Sequence, residues 1–276
     1  MTLTLTLLGT GTSAGVPMIG CTCDVCTSTD PRDRRDRAAA MLTWRPAPSP
    51  PATHHPPRAA SGGATLLIDT APDLRHQMLR HRVMRIDGVV YTHNHADHIF
   101  GIDDLRRFNA VQGAAIDIYA EPPVIESLRT TFTYIFEPHK NPQKSFIPTL
   151  IPHPIEPGRP FTVAGLDITP LRIHHGKLPI VGYRAGRIAY CTDCSRIPPE
   201  TYPLLEDLDV LVIDALRYRH HPTHMTVDQA LSVIDEVKPR RAYLTHIAHE
   251  IRHADLEARL PDHVQIAHDG LTIESE

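Results

Sequence analysis

The chain has 276 residues, of which 41% are hydrophobic and 22% charged, an ordinary composition for a globular protein with a sizeable core. Its 28 Lys and Arg against 32 Asp and Glu give a net charge of −4, so bulk electrostatic attraction to nucleic acid is not indicated. No apolar run reaches the roughly 18 residues that a membrane span needs, and the amino terminus lacks the basic region of a signal peptide. We therefore expect a cytoplasmic protein that contacts no membrane.

The first half of the chain opens with strands. Thr and Leu alternate over residues 2–8, which predicts a strand, and a glycine-rich turn and a cysteine loop at 20–27 follow it. Strand patterns at 38–45 and 64–69 flank the stretch 46–63, whose prolines and glycines predict an exposed loop insertion. The next predicted elements are a helix at 71–82, a strand at 88–91, a helix at 99–109 and a strand at 116–120.

Strands also dominate the second half. They are predicted at 161–163, 166–173, 180–183, 187–191, 208–214, 241–245, 264–267 and 271–273, with helices at 226–237 and 255–260. This order predicts sheets with helices outside them, in one domain spanning 1–276. Residues able to bind metal follow several of these strands, and loops at one end of a sheet scaffold are where sites usually lie.

The densest group of such residues is Tyr91-Thr92-His93-Asn94-His95-Ala96-Asp97-His98. Imidazole and carboxylate are good ligands for zinc and similar ions. Three imidazoles and a carboxylate crowded behind a buried strand would be costly without a metal, so this segment predicts a metal site. One cluster cannot complete two coordination shells, and further ligands are expected at other strand ends.

Three later positions qualify as further ligands. His174-His175 follows the strand 166–173, Asp193 lies between Cys191 and Cys194, and His246 follows the strand 241–245. Taken singly, each of these is equally compatible with an ordinary polar residue at the end of a strand.

Taken in order, the motifs resemble those of the metallo-β-lactamase superfamily: an early Asp (Asp69), His-x-His-x-Asp-His, a lone His, a lone Asp and a last His. With the opening Leu7–Gly11 the resemblance covers nearly the whole chain, and it implies an α/β fold, the αββα four-layer sandwich. Carried over by residue, it implies one metal at His93, His95 and His175, a second at Asp97, His98 and His246, Asp193 bridging the two, and Asp69 orienting ligands. His175 is preferred to His174 because it directly precedes the small residue Gly176, as in the family motif.

Two divalent metals, zinc or manganese, about 3.5–4 Å apart hold a hydroxide and stabilise charge developing on a phosphoryl or acyl oxygen. The resemblance therefore predicts a binuclear hydrolase in which Asp97 and Asp193 serve catalysis through the metals. It does not specify the bond that is cleaved.

A second metal site is indicated by Cys21, Cys23 and Cys26, which can wrap one zinc but need a fourth ligand. The spacing leaves Cys191, Cys194 or a histidine as that ligand. The Cys-x-Cys-x-x-Cys loop and the ending Thr245-His246-Ile247-Ala248-His249 resemble the PhnP-type cyclic-phosphate phosphodiesterases of the carbon–phosphorus lyase pathway. That narrower resemblance implies a structural zinc held by the three cysteines and His249.

The same resemblance places His224, just before the helix 226–237, as the proton donor to the leaving group. The alternative is a histidine at a helix start that is exposed to water.

The leading hypothesis is a metal-dependent phosphodiesterase acting on small or cyclic phosphodiesters. A transfer-RNA 3′-processing nuclease and a thioester or lactone hydrolase are rivals within the same fold, and a non-catalytic metal-binding module is the alternative of a different class. We expect a small-molecule substrate in preference to nucleic acid. The sequence leaves the oligomeric state open, with a homodimer as one alternative.

Overall fold

The computed structural model describes residues 2–45, 63–137, 139 and 146–275. The strands in these ranges are β1 (Leu3–Gly9), β2 (Ala39–Trp44), β3 (Ala64–Ile68), β4 (Gly88–Val90), β5 (Ile116–Ala120), β6 (Leu150–Pro154), β7 (Phe161–Val163), β8 (Leu166–His175), β9 (Leu178–Ala185), β10 (Ile188–Cys191), β11 (Val210–Asp214), β12 (Arg241–Thr245), β13 (Val264–Ile266) and β14 (Thr272–Ser275). The α-helices are α1 (Leu74–Arg80), α2 (Ala96–Ile99), α3 (Leu105–Gln112), α4 (Pro122–Thr131), α5 (Thr133–Phe136), α6 (Val227–Val237) and α7 (His253–Glu257). Short 3-10 helices cover Pro31–Asp33, Ile102–Asp104 and Pro199–Leu205.

The strands form two seven-stranded sheets, in the orders β14-β1-β2-β3-β4-β5-β6 and β13-β12-β11-β10-β9-β8-β7. One layer of buried side chains lies between them. In β1 the alternating pattern sends Leu3, Leu5 and Leu7 into this layer, because successive side chains of a strand point to opposite faces. Each fully buried leucine stabilises the fold by about 1.5–3 kcal/mol.

Helices cover the outer faces of both sheets. Leu74 of α1, Leu105 of α3 and Leu128 of α4 pack on the first sheet, and Ile234 of α6 and Leu256 of α7 pack on the second. The layers therefore run helix, sheet, sheet, helix. The predicted αββα four-layer sandwich is confirmed.

Most predicted strands are confirmed with bounds shifted by one or two residues, but one predicted helix and the end of one predicted strand need correction, and some elements were not predicted. The predicted helix 99–109 is two helices, α2 and α3, separated near Gly101. A Cβ at Gly101 would lie 2.1 Å from the carbonyl oxygen of Ala71, and the Gly101 amide donates to the Thr70 carbonyl instead of continuing a helix. Helix α2 begins at Ala96, inside the histidine cluster and three residues before the predicted start.

The strand predicted at 166–173 extends to His175, so His174 and His175 belong to the strand and do not follow it. Cross-strand pairing explains the extension, because His175 lies opposite Leu178 across a tight turn at Gly176 and Lys177.

Helices α4 and α5 and strand β6 were not predicted. Two consecutive prolines, Pro122 and Pro123, open α4, a position where the missing amide of proline costs nothing. The predicted loop insertion at 46–63 lies outside the described residues except for Gly63. Among the helices that are described, none is long and apolar enough to cross a bilayer.

Candidate metal centre

The candidate centre lies where the carboxyl ends of parallel strands from both sheets meet. Strands β3, β4, β5 and β6 are parallel neighbours in the first sheet, and β10, β11, β12 and β13 are parallel neighbours in the second. The residues that leave their carboxyl ends are Asp69 after β3, the segment 93–98 after β4, Asp193 after β10 and His246 after β12. The loops after the strands therefore bring together the residues that the sequence singled out.

The first ligand set consists of His93, His95 and His175, whose ring nitrogens lie within 4.8 Å of one another. Their ring centroids are 4.5 Å apart for His93 and His95, 5.0 Å for His95 and His175, and 5.6 Å for His93 and His175. His93 and His175 are buried, whereas His95 is exposed. The last residue of β8 thus delivers the third imidazole to the pair supplied by the loop after β4.

The second set consists of Asp97, His98, Asp193 and His246, whose ligand atoms also lie within 4.8 Å of one another. The Nε2 atom of His98 is 3.4 Å from Oδ2 of Asp97 and 3.2 Å from Oδ1 of Asp193. Nε2 of His246 is 3.3 Å from Oδ2 of Asp193. Two imidazoles and two carboxylates can hold one divalent cation here.

Asp193 lies between the two sets. Besides its approach to His98 and His246, its Oδ2 atom is 4.0 Å from Nε2 of His93 in the first set. Asp193 has a positive φ of 55°, and Thr192 donates a hydrogen bond of 2.8 Å to its Oδ1. This arrangement lets one carboxylate reach both sets.

Hydrogen bonds behind the ligands fix the orientation of the rings. Nδ1 of His98 lies 2.7 Å from Oδ2 of Asp69, and the backbone amide of Thr92 donates to the other Asp69 oxygen at 2.8 Å. The Thr92 hydroxyl donates to Asp69 at 2.8 Å and so accepts from Nδ1 of His93 at 2.9 Å. In both histidines the Nδ1 proton is used away from the centre, which leaves Nε2 available as the ligand atom.

A metal fits these residues. Nε2 of His93, His98 and His246 is buried without a hydrogen-bond partner in the described part of the chain. Burial disfavours a charged imidazole, yet Asp193 and Asp69 raise the pKa of His98 well above its ordinary value. Burial also opposes ionisation of Asp193, but His246 and His98 hold the pKa of that carboxyl well below its usual range. The cluster therefore favours positive charge at its centre, which a bound cation supplies.

His224 stands directly beside the two sets. Its ring stacks on His246 with centroids 4.6 Å apart and lies 4.6 Å from the ring of His175. Nδ1 of His224 is 2.7 Å from Oδ2 of Asp214, which ends β11. Burial lowers the pKa of His224 and raises that of Asp214. The geometry places His224 equally well for a proton donor and for a metal ligand alongside His175 and Asp193, so its role stays a prediction.

Asp214 and Thr223 were missed as site residues. The signal for Asp214 is an apolar strand that ends in an acid, which could have indicated a partner for a nearby histidine. Thr223 acts through its main-chain carbonyl, which accepts from Nδ1 of His175 at 2.8 Å. A contact of that kind leaves no mark in the side-chain pattern.

The cysteine cluster is brought together as the narrower resemblance implied. Nδ1 of His249 lies 3.3 Å from Sγ of Cys21, 3.4 Å from Sγ of Cys23 and 3.7 Å from Sγ of Cys26. Three thiols and an imidazole at these distances match the donor set of a closed structural zinc site. The other fourth-ligand alternatives, Cys191 and Cys194, are fully buried in the core between the second sheet and its helices.

Comparisons with known proteins fit this geometry. The family described as "Beta-lactamase superfamily domain" matches residues 64–247, the range that contains Asp69 and both candidate ligand sets. A protein of Porphyromonas gingivalis (strain ATCC BAA-308 / W83) named octanoyltransferase is 38% identical over 270 residues, which cover 96% of this chain and 50% of that protein. The chain thus spans half the length of this relative.

Among solved structures, a diphosphatase from the PhnP family is 39% identical and superposes with a TM-score of 0.86, covering 100% of this chain and 98% of that one. Zn²⁺-bound PqqB from Methylobacterium extorquens superposes with a TM-score of 0.72 over 98% of this chain and 99% of that one, and at 20% identity it shows the fold alone. The chain belongs to the metallo-β-lactamase superfamily, and within it resembles the PhnP family.

Proposed function

We propose that this protein is a binuclear metal-dependent phosphodiesterase that hydrolyses small or cyclic phosphodiesters. The observation that carries the proposal is the position of Asp193, whose carboxylate approaches His98 and His246 on one side and His93 on the other. One carboxylate shared by two ligand sets is the arrangement expected of a bridged pair of ions. Zinc and manganese both suit imidazole and carboxylate ligands of this kind.

A pair of divalent ions would supply Lewis acidity toward the phosphoryl oxygens and a water acidic enough to attack at neutral pH. The chain's own residues hold the ions at fixed positions. Asp69 and Thr92 orient the imidazoles of His98 and His93, and the carbonyl of Thr223 orients His175. Orientation before substrate arrives lowers the reorganisation needed during the reaction.

His224 supplies the proton for the leaving group in this proposal. With Asp214 ionised, its Oδ2 atom accepts the Nδ1 proton of His224, and the proton that can be given up is the one on Nε2. An alkoxide is a poor leaving group, and a positioned acid contributes about 10²–10⁴-fold to the rate of its departure. Burial lowers the pKa of His224, which makes the protonated ring a stronger acid but reduces the protonated fraction near neutral pH.

A second candidate reaction is hydrolysis of a diphosphate. It is favoured by the 39% identity to a PhnP-family diphosphatase along the whole chain. The same two ligand sets serve both reactions, since each begins with attack of water on phosphorus. The two differ in the leaving group, because a phosphate departs with less need of a proton than an alkoxide does.

The test is a substrate panel with zinc-loaded and manganese-loaded protein. It contains a ribose cyclic phosphate, an unactivated dialkyl phosphodiester, a diphosphate diester, an octanoyl thioester, a lactone and a precursor transfer RNA. Asp193→Asn, which keeps the size of the side chain but removes its charge, is the matched control.

We expect the small phosphodiesters to be turned over fastest, and the Asn variant to lose this activity. Turnover of the diphosphate alone would favour the second candidate. Turnover of only the thioester, only the lactone or only the RNA would overturn the proposal.

A further inference from the structure

The loop that precedes α6 forms one wall of the candidate centre. The Thr223 carbonyl accepts from Nδ1 of His175, and His224 stacks on His246. Gly176 permits this close approach, since a Cβ there would lie 2.8 Å from Cγ2 of Thr223. Side chains of this loop are therefore fixed relative to both ligand sets.

His221 belongs to this wall, and the geometry fixes its neutral tautomer. The backbone amide of Thr223 lies 3.3 Å from Nδ1 of His221, and the Thr223 hydroxyl lies 3.1 Å from the same atom. A backbone N–H can only donate, so Nδ1 is an acceptor and the ring proton is on Nε2. His221 thus presents a hydrogen-bond donor held in a defined orientation.

His221 also lies on the leaving-group side of the centre. Its ring centroid is 5.1 Å from that of His224, the proposed proton donor, and its side chain is half-buried and so reachable from solvent. Arg217 and Arg219 of the same loop both approach one carboxylate, that of Glu250. Two guanidinium groups against one carboxylate leave this part of the loop positively charged.

We propose that His221 binds an anionic oxygen on the leaving-group portion of the substrate, a second phosphate being the class of group that fits. This rests on the proposed function for the location of the leaving group. A hydrogen bond to a charged group contributes about 1.5–3 kcal/mol, or roughly 10- to 150-fold in affinity. His221 is then a specificity-determining residue that favours substrates with two phosphate groups over those with one.

The experiment compares two ligands that are not hydrolysed, methylenediphosphonate and methylphosphonate, by calorimetric titration of the zinc-loaded protein. His221→Asn is the decisive variant, because its amide oxygen can still accept from the Thr223 amide while no donor remains at the Nε2 position. His221→Gln places an N–H near that position, and His220→Ala removes an exposed neighbour as the matched control.

We expect His221→Asn to lower the affinity for methylenediphosphonate about 10-fold or more. Its affinity for methylphosphonate should stay within about 3-fold of wild type. His221→Gln should recover part of the loss, and His220→Ala should bind both ligands as wild type does. Unchanged affinity for methylenediphosphonate in His221→Asn, or equal weakening of both ligands, would overturn the inference.

This outcome is separable from that of the proposed function. Binding of the two phosphonates requires no turnover. The loss of affinity for methylenediphosphonate can therefore be measured even on a protein that hydrolyses no phosphodiester. Conversely, if the wild-type protein hydrolyses phosphodiesters and the His221→Asn variant binds both phosphonates with normal affinity, only the role proposed for His221 is wrong.

Discussion

Three residues of the candidate centre have backbone conformations that are rare for side chains other than glycine. Asp69, Asp193 and His246 have φ values of 65°, 55° and 60°. Each such residue costs on the order of 1–3 kcal/mol and persists only where its surroundings hold it. For Asp69 those surroundings include bonds to His98 and Thr92. Other described residues such as Arg82 and Lys238 also have a positive φ, so this conformation is not confined to the centre, but at these three positions it holds a candidate ligand or its hydrogen-bond partner in place at a cost in stability.

Asp97 gives the first test of the ligand sets. Asp97→Ala removes a carboxylate 3.4 Å from Nε2 of His98 and should release one catalytic ion. Hydrolysis should fall by more than about 100-fold, since even residues that only support a metal ligand cost 10- to 100-fold. Elemental analysis and steady-state rates check this, with Asp103→Ala as a carboxylate control on the nearby 3-10 helix. Retention of full activity and metal content in Asp97→Ala would contradict the two-ion centre.

His224 can be tested through its dependence on the leaving group. His224→Ala should slow a dialkyl phosphodiester by about 10²–10⁴-fold, because no acid remains for the alkoxide. A 4-nitrophenyl ester should be scarcely affected, since nitrophenolate departs without a proton. Metal content should stay at the wild-type value. Equal loss on both substrates, or loss of an ion, would instead make His224 a positioning residue or a metal ligand.

At the scale of elements, strands could be predicted from the alternation or run of apolar residues along them and from the polar residues at their ends. The pattern of β1 and the apolar run of β11 identify strands because each side chain has a defined face. The break at Gly101 could not be predicted in the same way. It depends on the Thr70 and Ala71 carbonyls, which approach only after β3 and α1 have packed.

The turn between β8 and β9 offers an element-scale prediction. Gly176 and Gly113 both have left-handed backbone, with φ of 63° and 64°, but only at Gly176 would a Cβ meet another residue, Thr223. Alanine at either position should cost about 1–2 kcal/mol of unfolding free energy. Only Gly176→Ala should also lower kcat, by up to ~10²-fold, because Thr223 orients His175.

Thermal melts and steady-state kinetics on the two glycine variants check this. If Gly176→Ala keeps wild-type kcat, or if Gly113→Ala loses as much, the turn does not position the centre.

The cysteine loop gives a second element-scale prediction. Cys23→Ser should lower the zinc content by about one ion per chain and lower the melting temperature, because closed zinc sites contribute directly to folding. Cys191→Ser is the matched control, since this buried cysteine lies in β10 and not in the cluster with His249. It can lower stability but should leave the zinc content unchanged. Equal zinc content in Cys23→Ser and wild type would refute the assignment.

At the scale of the whole molecule, the candidate centre joins the two sheets. Loops of the first sheet supply His93, His95, Asp97 and His98, and the second sheet supplies the ligands that complete each set. Direct bonds cross the same junction, including one from the Tyr183 hydroxyl to the Tyr91 carbonyl at 2.6 Å. Ions bound here would therefore stabilise the packing of one sheet on the other.

The candidate ligands could be predicted because most of them come directly after strands, in an order along the chain that resembles the family motifs. The sets containing His93 and Asp97 came from spacing and family resemblance, and the structure places each set within one cluster. The contacts of Asp214 and Thr223 were not predictable, because they depend on how the loop before α6 packs against the ends of β8 and β11. The order of motifs along the sequence therefore predicted the candidate ligands and one orienting residue, Asp69, whereas Asp214 and Thr223 are recognised only from the tertiary packing.

The most direct test of the central proposal is the rate of hydrolysis of a small cyclic phosphodiester, measured on protein prepared with a defined number of catalytic ions. A chain with the cysteine site filled is titrated with zinc or manganese while bound metal and turnover are followed together. The binuclear account predicts that turnover rises with the fraction of chains holding two catalytic ions and stays near zero with one. Full turnover with a single catalytic ion, or no turnover of the phosphodiester with two ions bound, would contradict it.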